Sequence, residues 1–190
     1  MDTPLTAVID ACVLYSAPVR DLIVRLAQAG LIQARWTAEI HDEWIRNVLK
    51  NNPRLTRERL ERTRSLMDGA VRDCLVTGYA DLIDSLTLPD PDDRHVLAAA
   101  VRAGADVIVT YNLGDFPADA LTTYGVEARH PDEFIAHLLD VAPTVVTTAA
   151  KHQREGLKNP PRTVDEILGT LEQQGLVRTV GVLRQFSEQI

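Results

Sequence analysis

The sequence of 190 residues has little cysteine and no long apolar run. Its two cysteines, Cys12 and Cys74, are too few for a disulfide framework or a zinc cluster. No apolar run approaches the length of a membrane-spanning helix. The N-terminus begins a predicted strand almost at once and lacks the charged, apolar and small-residue sections of a secretory signal. We therefore expect a cytoplasmic protein that contacts no membrane.

An excess of positive charge is also missing. The formal net charge of −7 argues against sequence-independent binding of nucleic acid through bulk charge alone. A polyanionic substrate would need a local basic patch or bridging metal ions. The length and the hydrophobic content of 45% indicate one globular domain, or one domain with a small appendage.

Strand patterns and helix patterns alternate along most of the chain. The predicted strands span residues 5–9, 31–36, 106–110 and 126–128. The predicted helices span residues 18–30, 37–49 and 56–74, then run from the loop 89–92 to Gly104, and finally from 133 to 141 behind Asp132 as N-cap. Residues 81–86 are predicted to form a strand or a turn. The alternation predicts an α/β fold with a mostly parallel sheet.

The chain changes character near Pro143. Residues 158–162 form a linker-like break, and an amphipathic helix follows with a capping box of Thr163 and Glu166. We predict a domain of residues 1–142 and an accessory region of residues 143–190, which packs on the domain or on a partner.

Four acidic residues lie at the edges of apolar segments: Asp10, Glu43, Asp93 and Asp115. Taken singly, an Asp at a helix start is more often a cap, and a Glu on a helix is usually solvated. Taken together, they are harder to explain, because ligands gather outside the carboxyl ends of parallel strands, where Asp10 and Asp115 are expected. Converging carboxylates repel one another unless a cation neutralises them. The pattern therefore suggests a site for Mg²⁺ or Mn²⁺, and with it phosphate chemistry.

Four segments, in order, resemble the motifs of PIN-domain ribonucleases: VIDACVL (8–14), EIHDEW (39–44), PDDRHVLAAA (91–100) and ADVIVTYNLGDFP (105–117). The resemblance covers roughly residues 5–140. A chain of this kind is similar to VapC-type toxins, the Mg²⁺-dependent endoribonucleases of toxin–antitoxin pairs, here with a C-terminal extension. The resemblance implies a three-layer α/β/α fold, a metal site of Asp10, Glu43, Asp93 and Asp115, an RNA substrate and a small antitoxin partner. PIN-like proteins are also often homodimers.

The chain departs from the family pattern at three places. Asn112 stands where many relatives have an acid, so either Asn112 or Asp115 completes the site. Asp92 competes with Asp93, although helix register favours Asp93 because it lies three residues before Val96. Cys12 lies in a pair, Ala11-Cys12, where relatives often have Thr-Asn, so a polar group next to Asp10 is expected to be missing.

Residues 46–72 contain eight Lys or Arg against three acids. One interpretation is a solvated helical face with ion pairs such as Glu58 with Arg62. The other is a patch that contacts the phosphate backbone, in which Arg46 and Lys50, together with Thr110, would bind substrate.

Histidines near the acids offer a second kind of metal site. A mixed imidazole–carboxylate site for Zn²⁺ or Mn²⁺ could include His41 or His95. Residues two apart on a helix face apart, as do His41 and Glu43 or His95 and Asp93, so we expect surface or packing roles for both histidines.

Other function classes fit less well. A phosphatase of the haloacid-dehalogenase type needs a second Asp at the position of Cys12, and a receiver domain needs a Lys after the strand near Val126. An RNA-processing PIN nuclease outside a toxin–antitoxin pair and a non-catalytic partner-binding PIN module both stay open.

Overall fold

Four parallel strands form the centre of the protein. The computed structural model describes residues 4–190, so the first three residues of the predicted domain lie outside the described residues. The strands are β1 (Leu5–Ile9), β2 (Ile32–Arg35), β3 (Val107–Val109) and β4 (Glu127–Arg129). They lie in the order β2-β1-β3-β4, and each neighbouring pair is parallel. All four predicted strands and the parallel sheet are confirmed.

The strand order reverses at the centre of the sheet. From β1 the chain moves to β2 on one side and then crosses back to β3 on the other side of β1. In parallel sheets, the crevice outside the carboxyl ends of two such strands is the usual ligand-binding position. Asp10 follows β1 directly and Thr110 follows β3 directly, so the topology brings these two residues to that crevice.

Helices connect the strands and pack around the sheet. They are α1 (Ala11–Tyr15), α2 (Ala17–Gln28), α3 (Ala38–Asn51), α4 (Arg57–Ala70), α5 (Ala80–Ile83), α6 (Arg94–Ala103), α7 (Ala118–Leu121), α8 (Pro131–Val141), α9 (Pro143–Gly156), α10 (Val164–Gln173) and α11 (Val177–Leu183). The arrangement is the predicted three-layer α/β/α fold with further helices at the C-terminus. Across residues 4–190, every helix is too short or too polar to cross a membrane.

Local sequence signals account for the two helices that carry most of the cleft. Thr37 begins α3, because its hydroxyl accepts a hydrogen bond from the Ile40 amide at 3.0 Å. Gly104 ends α6 in the left-handed conformation, with φ +57°. The buried alanines 98–100 of α6 are small, so this helix can pack closely on β1 and β3.

Residues 81–86, predicted to form a strand or a turn, contain the end of a single helical turn at Ala80–Ile83 and no strand. Two other sequence predictions of local structure were wrong. The helix predicted to reach Cys74 ends at Ala70. The cap of α8 is His130, whose imidazole accepts from the Asp132 amide at 3.1 Å, so Asp132 is not the N-cap.

The Asp132 carboxylate instead holds the C-terminal helices. Its two oxygens accept hydrogen bonds from the amides of Arg178 and Thr179, each at 2.8 Å, at the start of α11. The predicted capping box of Thr163 and Glu166 is confirmed. The C-terminal helices therefore pack on the domain, through α8 and through the contact of α9 with α2. The division between residues 142 and 143 stays a prediction.

Candidate metal centre

An open cleft of about 620 Å³ lies beside α3 and the start of α6. Its lining is almost entirely polar and mostly acidic. The lining residues are Glu39, Asp42, Glu43, Arg46, Asp90, Asp92, Asp93, His95, Asn112 and Asp115. The lining therefore brings together three of the four predicted acids, with Asp10 outside it. It also contains both alternative ligands, Asp92 and Asn112, and the predicted substrate-binding residue Arg46.

The contribution of α3 follows from helical periodicity. Ile40, Trp44 and Ile45 are fully buried in the core. Residues 39, 42, 43 and 46 recur at intervals of three or four, so they share the opposite flank of the helix and line the cleft. Sequence analysis identified only Glu43 and Arg46 of this flank, although the same spacing also indicates Glu39 and Asp42.

Asp10 is the one predicted acid outside the cleft lining, and it is nearly buried, with 3% of its surface exposed. Its Oδ2 accepts hydrogen bonds from the Thr110 hydroxyl at 2.7 Å and from the Cys12 thiol at 3.0 Å. Its other oxygen, Oδ1, receives no hydrogen bond from residues 4–190. Two donors therefore hold the carboxylate in one orientation and occupy only one of its oxygens.

Cys12 and Thr110 both differ from their predicted roles. The expectation that no polar group accompanies Asp10 was wrong, because the Cys12 thiol fills that role. Burial, followed by the charge of Asp10, raises the pKa of Cys12 to about 12, so the thiol keeps its proton. Thr110 is completely buried, so it has no exposed atom for the predicted contact with substrate and instead supports Asp10.

The pKa of Asp93 shows the effect of the neighbouring acids. It is half-buried at the N-cap of α6. Burial, and then the charges of Asp10, Asp115, Asp90 and Glu43, raise the pKa of Asp93 to about 7. Sequence analysis missed Asp90, whose carboxylate also accepts from the Asp92 amide at 2.9 Å. Asp10, Glu43 and Asp115 therefore all lie close enough to Asp93 to disfavour its charge.

His95 lies in the cleft, contrary to the predicted surface or packing role. Its Nε2 is 3.6 Å from Glu43 Oε2, and its Nδ1 is 3.8 Å from Glu39 Oε2. Burial alone would lower the pKa of His95, but the neighbouring Glu43 and Glu39 outweigh it and raise this pKa. The rule for residues two apart fails here because Asp93 ends a 3₁₀ turn, whereas His95 lies in the first turn of α6.

His41, in contrast, has the predicted packing role. It is fully buried, its Nε2 lies 3.0 Å from Asp68 Oδ1, and its Nδ1 accepts from the Trp44 indole at 2.9 Å. Both ring nitrogens are therefore used within the core, and neither is available to the cleft.

The donor set of the cleft suits a hard cation. Within residues 4–190, no three His, Cys, Asp or Glu side chains stand close enough together to hold a metal ion by themselves. A Mg²⁺ site does not need such a group, since this ion usually retains several waters and is bound directly by only one or two carboxylates. Separated carboxylate oxygens around an open cleft fit such a hydrated ion.

The choice between Asn112 and Asp115 stays a prediction, as does that between Asp92 and Asp93. Asn112 and Asp115 both line the cleft; Asn112 precedes a 3₁₀ turn and Asp115 is its last residue. The charge of Asp115 contributes to the raised pKa of Asp93, which an amide cannot do. Asp92 is exposed whereas Asp93 is half-buried among the acids, so the geometry favours Asp93 and Asp115.

The basic segment of residues 46–72 is only partly ion-paired. Arg57 pairs with Glu61 at 3.2 Å, and Arg64 pairs with Asp42 at 3.3 Å. The predicted pair of Glu58 with Arg62 is absent from the ion pairs of residues 4–190. Arg46 lines the cleft, whereas Lys50 lies one helical turn further along α3 and outside it.

Comparison with known families assigns the first part of the chain. Residues 6–114, more than half of the sequence, match the PIN domain model. The chain belongs to the PIN-domain family. Residues 131–185 match the model of the VapC50 C-terminal domain, which confirms the predicted resemblance to VapC-type PIN proteins with a C-terminal extension.

One curated relative carries the same resemblance. Over 97 residues the PIN-domain chain is 42% identical to "Putative ribonuclease VapC50" of Mycobacterium tuberculosis (strain ATCC 25618 / H37Rv). The match covers 51% of this chain and 57% of that relative, so the chain spans just over half the length of the relative it matches. No solved structure matches the protein.

The raised pKa of Asp93 predicts how stability depends on pH without metal. The native state holds a proton up to about pH 7 that the unfolded chain releases above its ordinary pKa of 3.8. This contribution to stability is present at low pH and is lost as the pH rises through about 7. With EDTA present, the melting temperature of the wild type minus that of Asp93→Asn should therefore decrease as the pH rises from about 5 to about 8.

The matched control is Asp84→Asn, because Asp84 is an exposed acid outside the cleft. This variant should follow the wild-type pH dependence. Parallel pH profiles for the wild type and Asp93→Asn would contradict the electrostatic coupling.

Proposed function

We propose that this protein is a Mg²⁺- or Mn²⁺-dependent endoribonuclease that hydrolyses RNA phosphodiesters, and the toxin of a type II toxin–antitoxin module. One observation carries the proposal: in a PIN domain, Glu43, Asp93 and Asp115 line one open cleft, where burial and then the charges of Asp10, Asp115, Asp90 and Glu43 raise the pKa of Asp93. Carboxylates that repel one another in this way favour binding of a divalent cation. The relative named "Putative ribonuclease VapC50", which is 42% identical to this chain over 97 residues, supports the same chemistry.

The proposed metal site consists of Asp10, Glu43, Asp93 and Asp115, of which one or two carboxylates would bind the ion directly and the others would contact its waters. A bound Mg²⁺ or Mn²⁺ supplies a Lewis acid that polarises the phosphodiester and lowers the pKa of a coordinated water. Such chemistry requires no nucleophilic side chain. It is consistent with the Cys12 thiol, whose raised pKa makes it a poor nucleophile.

The residues of the site have separate tasks in this proposal. Cys12 and Thr110 hold Asp10, which leaves Oδ1 of that carboxylate for a ligand. Asp93 is only partly ionised near neutral pH, so binding of a cation there would be coupled to release of its remaining proton. His95 lies 3.6 Å from Glu43 and orients that carboxylate.

RNA approaches an acidic cleft against a net charge of −7, so local positive charge is needed. Arg46 is the basic residue of the cleft lining, and it makes no ion pair within residues 4–190. Its guanidinium can contact a phosphate directly beside the proposed metal ligands. Lys50 would contact the RNA backbone further along α3, outside the cleft.

The partners belong to the same proposal. A small antitoxin protein, a homodimer and a cytoplasmic location are what the resemblance to VapC-type toxins implies. The match of residues 131–185 to the VapC50 C-terminal domain supports that comparison beyond the PIN domain alone.

The first prediction concerns cleavage. With Mg²⁺ or Mn²⁺ the wild type should cleave single-stranded RNA, and EDTA should abolish this activity. Loss of a residue that supports a metal ligand typically lowers metal affinity or activity by about 10–100-fold. Asp10 is itself a proposed ligand, so Asp10→Asn should reduce the cleavage rate by at least about 100-fold. Asp84→Asn, which changes an exposed acid away from the cleft, should cleave at the wild-type rate. Cleavage that survives both EDTA and Asp10→Asn would refute a metal mechanism.

Arg46 is predicted to bind substrate rather than to act in the chemical step. Arg46→Ala should raise KM for RNA several-fold and leave kcat nearly unchanged. The slope of log affinity against log salt should become shallower by about 0.7, the value for one phosphate contact to a single strand.

Arg72→Ala is the control for this prediction. Arg72 is exposed, belongs to the same basic segment and lies outside the cleft lining. Equal effects of Arg46→Ala and Arg72→Ala on the salt slope would argue for diffuse charge instead of a specific contact.

The toxin role is tested in cells. Expression of the chain alone should arrest growth, and the Asp10→Asn variant should not. Co-expression of the protein encoded next to this gene should restore growth and should yield a complex that co-purifies with the chain. Normal growth with soluble, RNA-cleaving protein would favour an RNA-processing nuclease outside a toxin–antitoxin pair.

A further inference from the structure

The turn between α10 and α11 contacts both loops that follow the central strands. Gln174 and Gly175 form this turn in the C-terminal extension. Gln174 accepts a hydrogen bond from Tyr111, in the loop after β3, and another from Ser16, at the junction of α1 and α2 after β1. One residue of the extension therefore joins the two chain segments that leave the topological switch point.

The contact with Tyr111 is directional. The Tyr111 hydroxyl donates to the backbone carbonyl of Gln174 at 2.7 Å, and its ring packs edge-on against His130 with centroids 5.0 Å apart. Gly175 has φ +89° and faces the same ring, since a Cβ at that position would lie 3.6 Å from Tyr111 Cε1. The Tyr111 side chain is thus held by the extension at its hydroxyl and along its edge.

The second contact involves a buried serine. The Ser16 hydroxyl donates to Gln174 Oε1 at 2.8 Å, and only 7% of Ser16 is exposed. The turn itself is held from its far side, because Asp132 accepts from the amides of Arg178 and Thr179 at the start of α11. These bonds give the turn a fixed position relative to the sheet.

Tyr111 connects this turn to the proposed metal centre. Its backbone amide donates to Cys12 Sγ at 3.3 Å, and the Cys12 thiol donates to Asp10 Oδ2 at 3.0 Å. The next residues along the loop are Asn112 and, one turn later, Asp115, both in the cleft lining. From Gln174 to Tyr111, from Tyr111 to Cys12 and from Cys12 to Asp10, each contact between residues is a hydrogen bond.

We propose that the α10–α11 turn of the C-terminal extension positions the metal centre by holding Tyr111, and with it the 110–115 loop and the Cys12 thiol that orients Asp10. Within the described chain, the lining of the cleft includes no residue of 143–190, so Gln174 and Gly175 act through Tyr111 and Ser16 as positioning residues. The role at the metal centre rests on the proposed nuclease function. The coupling between the turn and the loop does not depend on that function.

The test removes the two hydroxyls that reach Gln174. Tyr111→Phe and Ser16→Ala, singly and together, delete these hydrogen bonds and leave the backbone and the aromatic ring in place. The matched control is Tyr124→Phe, which deletes the hydroxyl of an exposed tyrosine, and that hydroxyl makes no hydrogen bond within residues 4–190.

Hydrogen–deuterium exchange of the full chain provides a readout independent of activity. The amides of Tyr111, Asn112 and Asp115 are hydrogen-bonded at 3.3, 3.0 and 3.0 Å. In the double variant these amides should exchange about 10-fold faster, because two hydrogen bonds that hold the loop are lost. Amides in the middle of α3 should exchange as in the wild type, and Tyr124→Phe should leave the whole pattern unchanged.

Metal affinity and kinetics provide the second readout. Mn²⁺ affinity, measured by the EPR signal of free Mn²⁺, should be about 10-fold weaker in the double variant, the usual cost of losing support behind a ligand. For RNA cleavage, kcat should fall and KM should stay unchanged, because Arg46 is untouched. A merely structural role would instead lower the melting temperature without this separation of kcat from KM.

The outcomes separate this proposal from the proposed function. If the wild type binds Mn²⁺ and cleaves RNA but the variants match it in exchange and Mn²⁺ affinity, the positioning role is overturned and the nuclease assignment stands. If the wild type neither binds Mn²⁺ nor cleaves RNA, the nuclease assignment fails, and faster exchange in residues 110–115 alone supports the coupling. Should the double variant fail to fold, the single Tyr111→Phe variant decides by the same measurements.

Discussion

Repulsion among carboxylates at one edge of a parallel sheet is the constraint on which this site depends. Asp93 keeps a proton to about pH 7 because burial and four neighbouring acids disfavour its charge. Such an arrangement costs free energy and persists only where the rest of the fold fixes the backbone. Here the fully buried cores of β1 and β3 do so, and the Thr110 and Cys12 hydrogen bonds fix Asp10 between them.

Much of this arrangement could be predicted from the sequence because its signals are local. The apolar run before Asp10 indicates a buried strand, and a parallel sheet places the end of that strand at the ligand-binding edge. Thr37, Gly104 and the Thr163–Glu166 box are caps whose geometry depends on a few neighbouring residues. The flank of α3 follows from the helical period, so Glu43 and Arg46 were predictable from the same pattern.

The interactions that escaped prediction join residues far apart in the chain. Cys12 supports Asp10 together with Thr110, which lies 98 residues further along. Gln174 bonds to Ser16 across 158 residues and to Tyr111 across 63. Asp132 has the sequence context of a helix cap, but its carboxylate binds amides of α11. His95 was misplaced because a 3₁₀ turn at residues 91–93 changes the register before α6. No local pattern carries that information.

The most direct test of the account is calorimetric titration of the purified chain with Mn²⁺ near neutral pH, in two buffers of different ionisation enthalpy. We expect saturable binding accompanied by release of a fraction of a proton, because Asp93 would ionise on binding of a cation to the carboxylate cluster. The Asp93→Asn variant should bind more weakly and release fewer protons. Absence of saturable binding, or identical binding and proton release in the wild type and Asp93→Asn, would contradict the account.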